Sequence, residues 1–145
     1  MKRVPHWQRA LRDEILKHHQ PFAWGKNDCC SFVCDCVLGM TGTDIYADFR
    51  GKYNDQKSAL QVMHDVAGSV RIEDVAAFVT EKHGMKEISP YYAQPGDVVL
   101  MPTGEDQSLM LGIVGHNAKD AYIVSEVGIR YLPFHKVAAK AWRLA

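Results

Sequence analysis

Long apolar runs are absent from this sequence, and that absence excludes one class of protein. No uninterrupted apolar stretch approaches the roughly 18 residues that a membrane-spanning helix needs. The positively charged start, residues 1–8, is followed by charged residues and not by an apolar segment of signal-peptide length. We therefore expect no membrane span and no export signal, and we expect the chain to be made in the cytoplasm.

An excess of charge of either sign is also missing. Lysine and arginine together number 17, aspartate and glutamate together number 17, and the formal net charge is zero. Proteins that bind nucleic acid through the phosphate backbone show a basic patch or stripe, and none stands out along this chain. We expect no nucleic-acid partner.

Cysteine is absent from all but one short segment, which holds Cys29, Cys30, Cys34 and Cys36. A disulfide framework needs cysteines spread over distant parts of the chain. On a helix, this spacing places Cys29 and Cys36 on one face and Cys30 and Cys34 on another, so the four thiols do not converge on a tetrahedral zinc ion. We expect reduced thiols, no structural disulfide, no metal and no cofactor.

The composition is that of one globular unit. The chain has 145 residues, of which 47% are hydrophobic, and this is enough to build a single core. Internal repeats and low-complexity linkers are missing. The sequence therefore predicts one domain over residues 1–145.

Helical periodicity marks the first part of the chain. Apolar residues at three- and four-residue spacing after Pro5 predict an amphipathic helix that stops before Pro21. Asp28 is predicted to cap a second helix that runs to about Gly39, because its carboxylate can accept the free amide hydrogens of the first turn. Two further helices are predicted over residues 55–67 and 72–83, with a structured loop over residues 44–54 before them and Gly84 ending the second.

Strand signals mark the rest of the chain. Short β-branched or apolar runs alternate with Gly, Asn, Asp and Pro, and a last run includes Trp142. The predicted strands cover residues 98–101, 109–114, 121–127, 129–132 and 142–144. Helices followed by a strand meander predict an α+β domain with an antiparallel sheet packed on its helices.

Cys29 is the residue best placed for covalent chemistry. A thiol in the first turn of a helix lies near the positive end of the helix dipole and near free amide hydrogens, and both favour the thiolate. The alternative is a buried structural thiol, since unpaired cysteine is among the most buried residue types. Two interpretations are also open for the segment Arg50-Gly51-Lys52-Tyr53, which either binds an acidic group or forms a solvated turn.

Four short motifs occur in order along the chain. Residues 28–33 read Asp-Cys-Cys-Ser-Phe-Val, residues 21–25 read Pro-Phe-Ala-Trp-Gly, residues 94–99 read Gln-Pro-Gly-Asp-Val-Val, and residues 110–113 read Met-Leu-Gly-Ile. This series resembles the NlpC-type, papain-like cell-wall cysteine peptidases, with their Asp-Cys-Ser-Gly-Phe-Val, Pro-Tyr-x-Trp-Gly, Pro-Gly-Asp-Leu-Val and His-Val-Gly-Ile motifs.

The resemblance implies a fold and a site. The fold is the papain-like NlpC-type fold, in which N-terminal helices pack on a C-terminal antiparallel sheet. Cys29 is the implied nucleophile. The implied pocket-lining residues are Phe22, Trp24, Asp28 and Met110.

A longer series of motifs resembles small proteins encoded by tailed phages and prophages. Its members are residues 24–30 (Trp-Gly-x-x-Asp-Cys-Cys), 40–42 (Met-Thr-Gly), 50–53 (Arg-Gly-x-Tyr) and an ending over 128–143. This likeness extends from about residue 22 to residue 143. It implies a component of the virion tail, with tail-tip proteins as partners and peptidoglycan as a second candidate partner.

Three positions depart from the peptidase pattern. Met110 stands where the peptidases have the histidine that takes the proton from the thiol, Phe22 stands in place of a tyrosine, and Val124 occupies or adjoins the position of a polar residue that orients the histidine. His116 and His135 remain as candidate bases. If the strand continues, His116 lies about 20 Å beyond Met110 along it, which is too far to replace it.

Two functions from different classes remain. The first is a degenerate NlpC-like domain that has lost its base and has a structural or cell-wall-binding role in a phage tail. The second is an active cysteine amidase or endopeptidase that cleaves peptidoglycan stem peptides through a Cys29 thioester. The first is favoured because three supporting positions have changed together, and a base close to Cys29 would reverse that order.

Overall fold

The computed structural model describes residues 1–102 and 108–144. Within these ranges, α-helices precede an antiparallel sheet, so the predicted α+β class is confirmed. The helices are α1 (Trp7–Lys17), α2 (Cys29–Thr41), α3 (Gln56–Ala67) and α4 (Ile72–Lys82). The strands are β1 (Lys86–Ile88), β2 (Val98–Pro102), β3 (Leu109–Val114), β4 (Asp120–Ser125), β5 (Gly128–Pro133) and β6 (Lys140–Arg143), and a 3-10 helix covers Pro90–Tyr92.

The central helix α2 begins where the sequence predicts. Asp28 is its N-cap and accepts a hydrogen bond from the Ser31 backbone amide at 2.8 Å. The helix continues past Gly39 and ends at Gly42, which adopts the left-handed conformation. Gly39 lies inside the helix because α1 passes close by, and a Cβ at this position would lie 2.9 Å from Cγ of Glu14. The glycine therefore marks a close helix contact and not a helix end.

The sheet contains one strand that the sequence analysis missed. The strand order is β1-β6-β2-β3-β4-β5, and all neighbours are antiparallel. β1 is three residues long, too short for its alternation to be recognised, and it exists because Lys86–Ile88 pairs with the end of β6. The prediction that β4 continues to Val127 is wrong, since the chain turns after Ser125 and begins β5 at Gly128.

The two faces of the sheet carry separate hydrophobic clusters. The helix-facing cluster joins the buried face of α2 to alternate sheet residues, which include Val98, Leu100, Leu111, Ile113, Val124 and Trp142. The outer cluster holds the residues between them, which include Val99, Met101, Val114, Ala121, Ile123 and Ala141, and it is covered by Phe134. The period of two in each strand therefore decides which side chains can reach the helices.

The buried carboxylate of Asp97 connects both ends of the chain to the sheet. Its oxygens accept bonds from the Arg143 guanidinium, the shortest at 2.8 Å, and from the Gln94 backbone amide at 2.9 Å. The Arg3 guanidinium lies 3.5 Å from the same carboxylate. Gly96, with φ of +85°, makes the turn before it, where a Cβ would lie 3.0 Å from the Trp7 ring. The Pro-Gly-Asp motif thus has a structural role at the point where the chain ends meet.

Candidate functional site

Cys29 is the first residue of α2 and is half-buried. Its sulfur lies 4.0 Å from the sulfur of Cys30, and all four cysteines are free thiols. The pKa of Cys29 is lowered from its ordinary value by its hydrogen bond with the Cys30 thiol, while burial acts in the opposite direction and a hydrogen bond with the Leu111 backbone lowers it further. The same hydrogen bond and burial raise the pKa of Cys30. Of the two thiols, Cys29 is therefore the one that ionises more readily.

The other two cysteines are structural. Cys34 and Cys36 are buried in the helix-facing cluster, and burial raises the pKa of both thiols. Neither thiol is suited to act as a nucleophile, because the reactive species is the thiolate.

Asp28 does more than cap α2. Its second carboxylate oxygen accepts a bond from the Gly25 backbone amide at 2.7 Å and another from the Tyr53 hydroxyl at 2.7 Å, and the Tyr46 hydroxyl bonds in turn to that of Tyr53. Burial, followed by the nearby carboxylate of Asp28, raises the pKa of Tyr53. The Tyr53 hydroxyl thus remains a donor, and both oxygens of Asp28 are engaged in holding the start of α2 and its neighbouring loops.

Gly25 allows the loop before α2 to approach Tyr53. Its φ is +81°, and a Cβ at this position would lie 2.2 Å from the Tyr53 carbonyl oxygen. Both the left-handed conformation and this contact require glycine. The Trp-Gly element therefore holds the loop that carries Phe22 and Trp24 beside the start of α2.

A cavity of about 300 Å³ extends from Cys29 between the sheet and the α3–α4 pair. Its lining is almost entirely apolar and includes Val33, Ile45, Phe49, Ala59, Leu60, Met63, Ile72, Val75, Ala76, Val79, Val98, Leu109 and Leu111. Trp24 and Leu60 also line it and are 38% and 40% exposed, so the cavity opens to solvent on that side. The site therefore combines one thiol of lowered pKa with a large apolar space.

The implied pocket residues Phe22, Trp24, Asp28 and Met110 all line this cavity together with Cys29. The Phe22 and Trp24 rings meet edge to face, with their centroids 5.1 Å apart.

The strand register indicates that Met110 lies on the opposite face of β3 from Leu109 and Leu111. It pairs directly with Met101, whose side chain belongs to the outer cluster. Direct cross-strand partners point to the same face, so the neighbours Leu109 and Leu111 face the helices more fully. This parity was hidden in the sequence because the motif alone does not show which face of β3 meets α2.

The two candidate bases do not meet Cys29. His116 is exposed beyond the end of β3, and its Nε2 atom lies 2.9 Å from the Gln8 carbonyl oxygen on α1. His135 is exposed and stacks on Phe134, in the outer cluster on the far side of the sheet. No histidine is among the described residues that line the cavity. The residues that act on the pKa of Cys29 are Cys30, Leu111 and Asp28.

His18 is the C-cap residue of α1 and is buried. Its Nδ1 atom lies 2.8 Å from Oδ1 of Asn27, and its Nε2 atom lies 3.0 Å from Oδ2 of Asp35. The Asn27 amide nitrogen donates to three backbone carbonyls, so Oδ1 acts as an acceptor. Both ring nitrogens of His18 therefore donate, which is the pattern of an imidazolium.

The charge on His18 has partners on both sides. Burial lowers the pKa of His18, but the hydrogen bonds to Asp35 and Asn27 outweigh it and the net direction is upward. Arg50 lies 2.8 Å from the other oxygen of Asp35 and also bonds to Asp44. The Arg50 segment thus binds acidic groups, and these are groups of its own chain.

One group of side chains has the composition of a metal site. Glu14, His18 and Asp35 place one ligand atom each within 4.8 Å of one another. Nε2 of His18 already bonds to Asp35, and a metal would need that nitrogen deprotonated. The three residues fit an ion-pair network better than a metal ion.

A comparison with protein families finds one match, which covers nearly the whole chain. The family described as a domain of unknown function (DUF6950) matches residues 2–144. The chain belongs to this family. No curated protein matches it. The family description assigns no activity, so the site geometry must carry any proposal.

None of the helices in residues 1–102 and 108–144 has the length and hydropathy that a membrane span requires. This agrees with the expectation of no membrane span.

Proposed function

We propose that the chain is a degenerate NlpC-like, papain-type cysteine-peptidase domain that binds ligands at Cys29 and does not turn over amide substrates. The carrying observation is the position of Cys29. It starts a capped central helix beside the sheet, with a lowered pKa, while the described cavity lining contains no histidine. The helix start supports a reactive thiol, and the missing base argues against peptide cleavage.

The chemistry of the leaving group separates the two functions. When an amide is cleaved, the leaving group is an amine, which must be protonated in the transition state. A positioned acid–base group that supplies this proton raises the rate of cleavage by about 100- to 10,000-fold. Asp28 and Tyr53 are the ionisable groups nearest to this task, but they are bonded to each other and to the start of α2. Within residues 1–102 and 108–144, Cys29 therefore lacks a free acid–base partner that would complete amide cleavage.

A role in a phage or prophage tail follows from the ordered motif resemblance between residues 22 and 143. One of its motifs, Arg-Gly-x-Tyr, has a structural role here, since Arg50 bonds to Asp35 and Tyr53 bonds to Asp28. The apolar cavity is poorly matched to polar peptidoglycan stem peptides. Within the proposed role, contact with tail-tip proteins is therefore favoured over binding of cell wall inside the cavity.

Two measurements on the whole chain test this proposal. We expect iodoacetamide to label Cys29 at least about tenfold faster than Cys34, since one unit of pKa changes the thiolate fraction tenfold. We expect stem-peptide amides to be cleaved slowly or not at all. Cys29→Ala removes the fast label, and Cys34→Ala is the matched control on the same helix and retains it. Brisk cleavage that Cys29→Ala abolishes would favour the active amidase instead.

Two double variants, each of which introduces a histidine on β3, test where a base must lie. Phe22→Tyr with Met110→His restores both residues that the peptidase motifs contain, whereas Phe22→Tyr with Leu109→His places the imidazole on the helix-facing side of β3. Because Met110 shares its face with Met101, we expect the Leu109 version to raise amide hydrolysis more. A larger gain from the Met110 version contradicts this assignment of the two faces.

A further inference from the structure

The lining of the cavity beside Cys29 restricts what it can hold. Apart from the exposed Gln56, the oxygen-bearing side chains that line it are occupied. Thr80 donates to the Ala76 carbonyl oxygen at 2.7 Å, and the Tyr46 and Tyr53 hydroxyls belong to the Asp28 chain of bonds. No buried side-chain nitrogen or oxygen of the described residues lacks a partner. A polar ligand group in this space would therefore find few partners, so the part of a ligand that enters must be apolar.

Charge restricts the ligand further. No lysine, arginine or histidine is among the described lining residues, and both oxygens of the Asp28 carboxylate already accept hydrogen bonds. A free carboxylate inside the cavity would be desolvated without a counter-ion, which is costly. The group next to Cys29 should therefore be neutral, as an ester or thioester carbonyl is.

The size of the cavity points to a chain or ring of substantial volume. Apolar cavities of about half this size remain dry and bind small apolar molecules. At about 300 Å³, this cavity is at the lower end of the range for ligand pockets. It runs away from Cys29 between α3, α4 and the sheet, so a chain attached at the sulfur can extend into it.

We propose that the cavity binds a saturated acyl chain of medium length and that Cys29 accepts this chain as a thioester from an acyl-thioester donor. The Cys29 thiolate attacks the donor carbonyl carbon and forms a new carbon–sulfur bond. The carbon–sulfur bond to the donor breaks, and the donor leaves as a thiolate that takes a proton from solvent. No oxidation occurs.

The missing base is compatible with this exchange. Ordinary thiols have a pKa of about 8.5, so a thiolate leaves near neutral pH without a proton donor. An amine cannot leave in this way. The site thus has what thioester exchange needs, a half-buried thiol of lowered pKa and a space for the chain, and its described residues offer no histidine for amide cleavage.

This inference rests on the proposed function in one respect, the reactivity of Cys29, and is independent of the tail and the cell wall. The test incubates the whole chain with butanoyl, octanoyl, decanoyl and hexadecanoyl coenzyme A and locates the adduct by intact-mass and peptide mass spectrometry. We expect one hydroxylamine-sensitive acyl group per chain, on Cys29. In the subsaturating range, the rate should rise by up to about fourfold per added methylene until the cavity is full.

Two variants separate the cavity from the thiol. Cys29→Ala should abolish acylation. Ala76→Leu fills the cavity but keeps Cys29, and we expect it to slow decanoylation by about tenfold, the effect of about two lost methylenes, while iodoacetamide labelling stays within about twofold. The chain-length series on the unmodified chain decides the question even if Ala76→Leu folds poorly.

The outcomes are distinguishable. Labelling of Cys29 by iodoacetamide without acylation overturns this inference and leaves the proposed function standing. Acylation that ignores chain length, or that modifies other cysteines equally, also overturns it. Absence of both reactions overturns the inference and the proposed reactivity together.

Discussion

The two sides of α2 are packed differently. Towards α1, the contact is close enough to require Gly39, Leu11 is completely buried, and the polar side chains of His18, Asp35 and Asn27 are paired. Towards α3 and α4, a cavity of about 300 Å³ remains, Ala59 is the one buried residue of α3, and Leu60 and Phe78 are exposed. Since protein interiors are normally close-packed, a gap of this size sacrifices stability. The difference indicates that the α1 side maintains the fold and the α3–α4 side is available to a ligand.

The largest effect should follow from breaking the α1 side. His18→Ala removes the cation between Asn27 and Asp35 and leaves a partly buried carboxylate with Arg50 as its remaining partner. We expect the free energy of unfolding to fall by about 3 kcal/mol, as for other disrupted buried ion pairs. Urea denaturation measures it. His19→Ala, at the exposed neighbouring position, should cost no more than about 0.5 kcal/mol. Equal losses of unfolding free energy in His18→Ala and His19→Ala would show that the paired side chains between α1 and α2 do not stabilise the fold.

The second prediction compares one substitution at two buried alanines. Ala121 is completely buried in the outer cluster, and Ala76 is 4% exposed and lines the cavity. We expect Ala121→Leu to cost about 1–3 kcal/mol through overpacking. Ala76→Leu should instead be neutral or stabilise the chain by about 0.5–1 kcal/mol by filling empty space. Thermal and urea unfolding of both variants test this, and a cost at Ala76 as large as that at Ala121 would show that α4 closes tightly on the core.

The smallest effect is a pH dependence on the α1 side. The pKa of His18 is raised above 6.5 in the folded chain, so its contribution to stability is fully present below about pH 6.5 and is lost as the pH rises through the folded pKa. The free energy of unfolding should therefore decline across that window. Asp35, Glu14 and Asn27 face the ring and set this behaviour. The decline should be shallower in His18→Ala than in the unmodified chain, and identical slopes would assign it to other groups.

Local contacts account for what was predictable in the site. Asp28 caps α2 through Ser31, three residues away, and this pattern is visible in the sequence. The bond between Asp28 and Tyr53 spans 25 residues, and that between His18 and Asp35 spans 17. Sequence spacing does not predict contacts between such distant positions. The Arg-Gly-x-Tyr motif nevertheless contains a member of each group of contacts, since Tyr53 bonds to Asp28 and Arg50 pairs with Asp35.

The sheet shows the same limit. Most strands were predictable from β-branched runs, but β1 owes its existence to its partner β6. The register that turns Met110 towards Met101 arises from pairing between β2 and β3 and not from either strand alone. The cavity is a property of how α3 and α4 rest on the sheet, so no segment of the sequence encodes it separately.

The Asp97 carboxylate has one further consequence. Because Arg3 and Arg143 reach the same carboxylate, the chain enters and leaves the domain at neighbouring points. Domains whose ends meet in this way tolerate circular permutation and insertion into a surface loop of another protein. A short linker between the two ends, with a new opening at the exposed turn of Asn117, should therefore give a permuted domain that keeps Cys29 and its cavity unchanged.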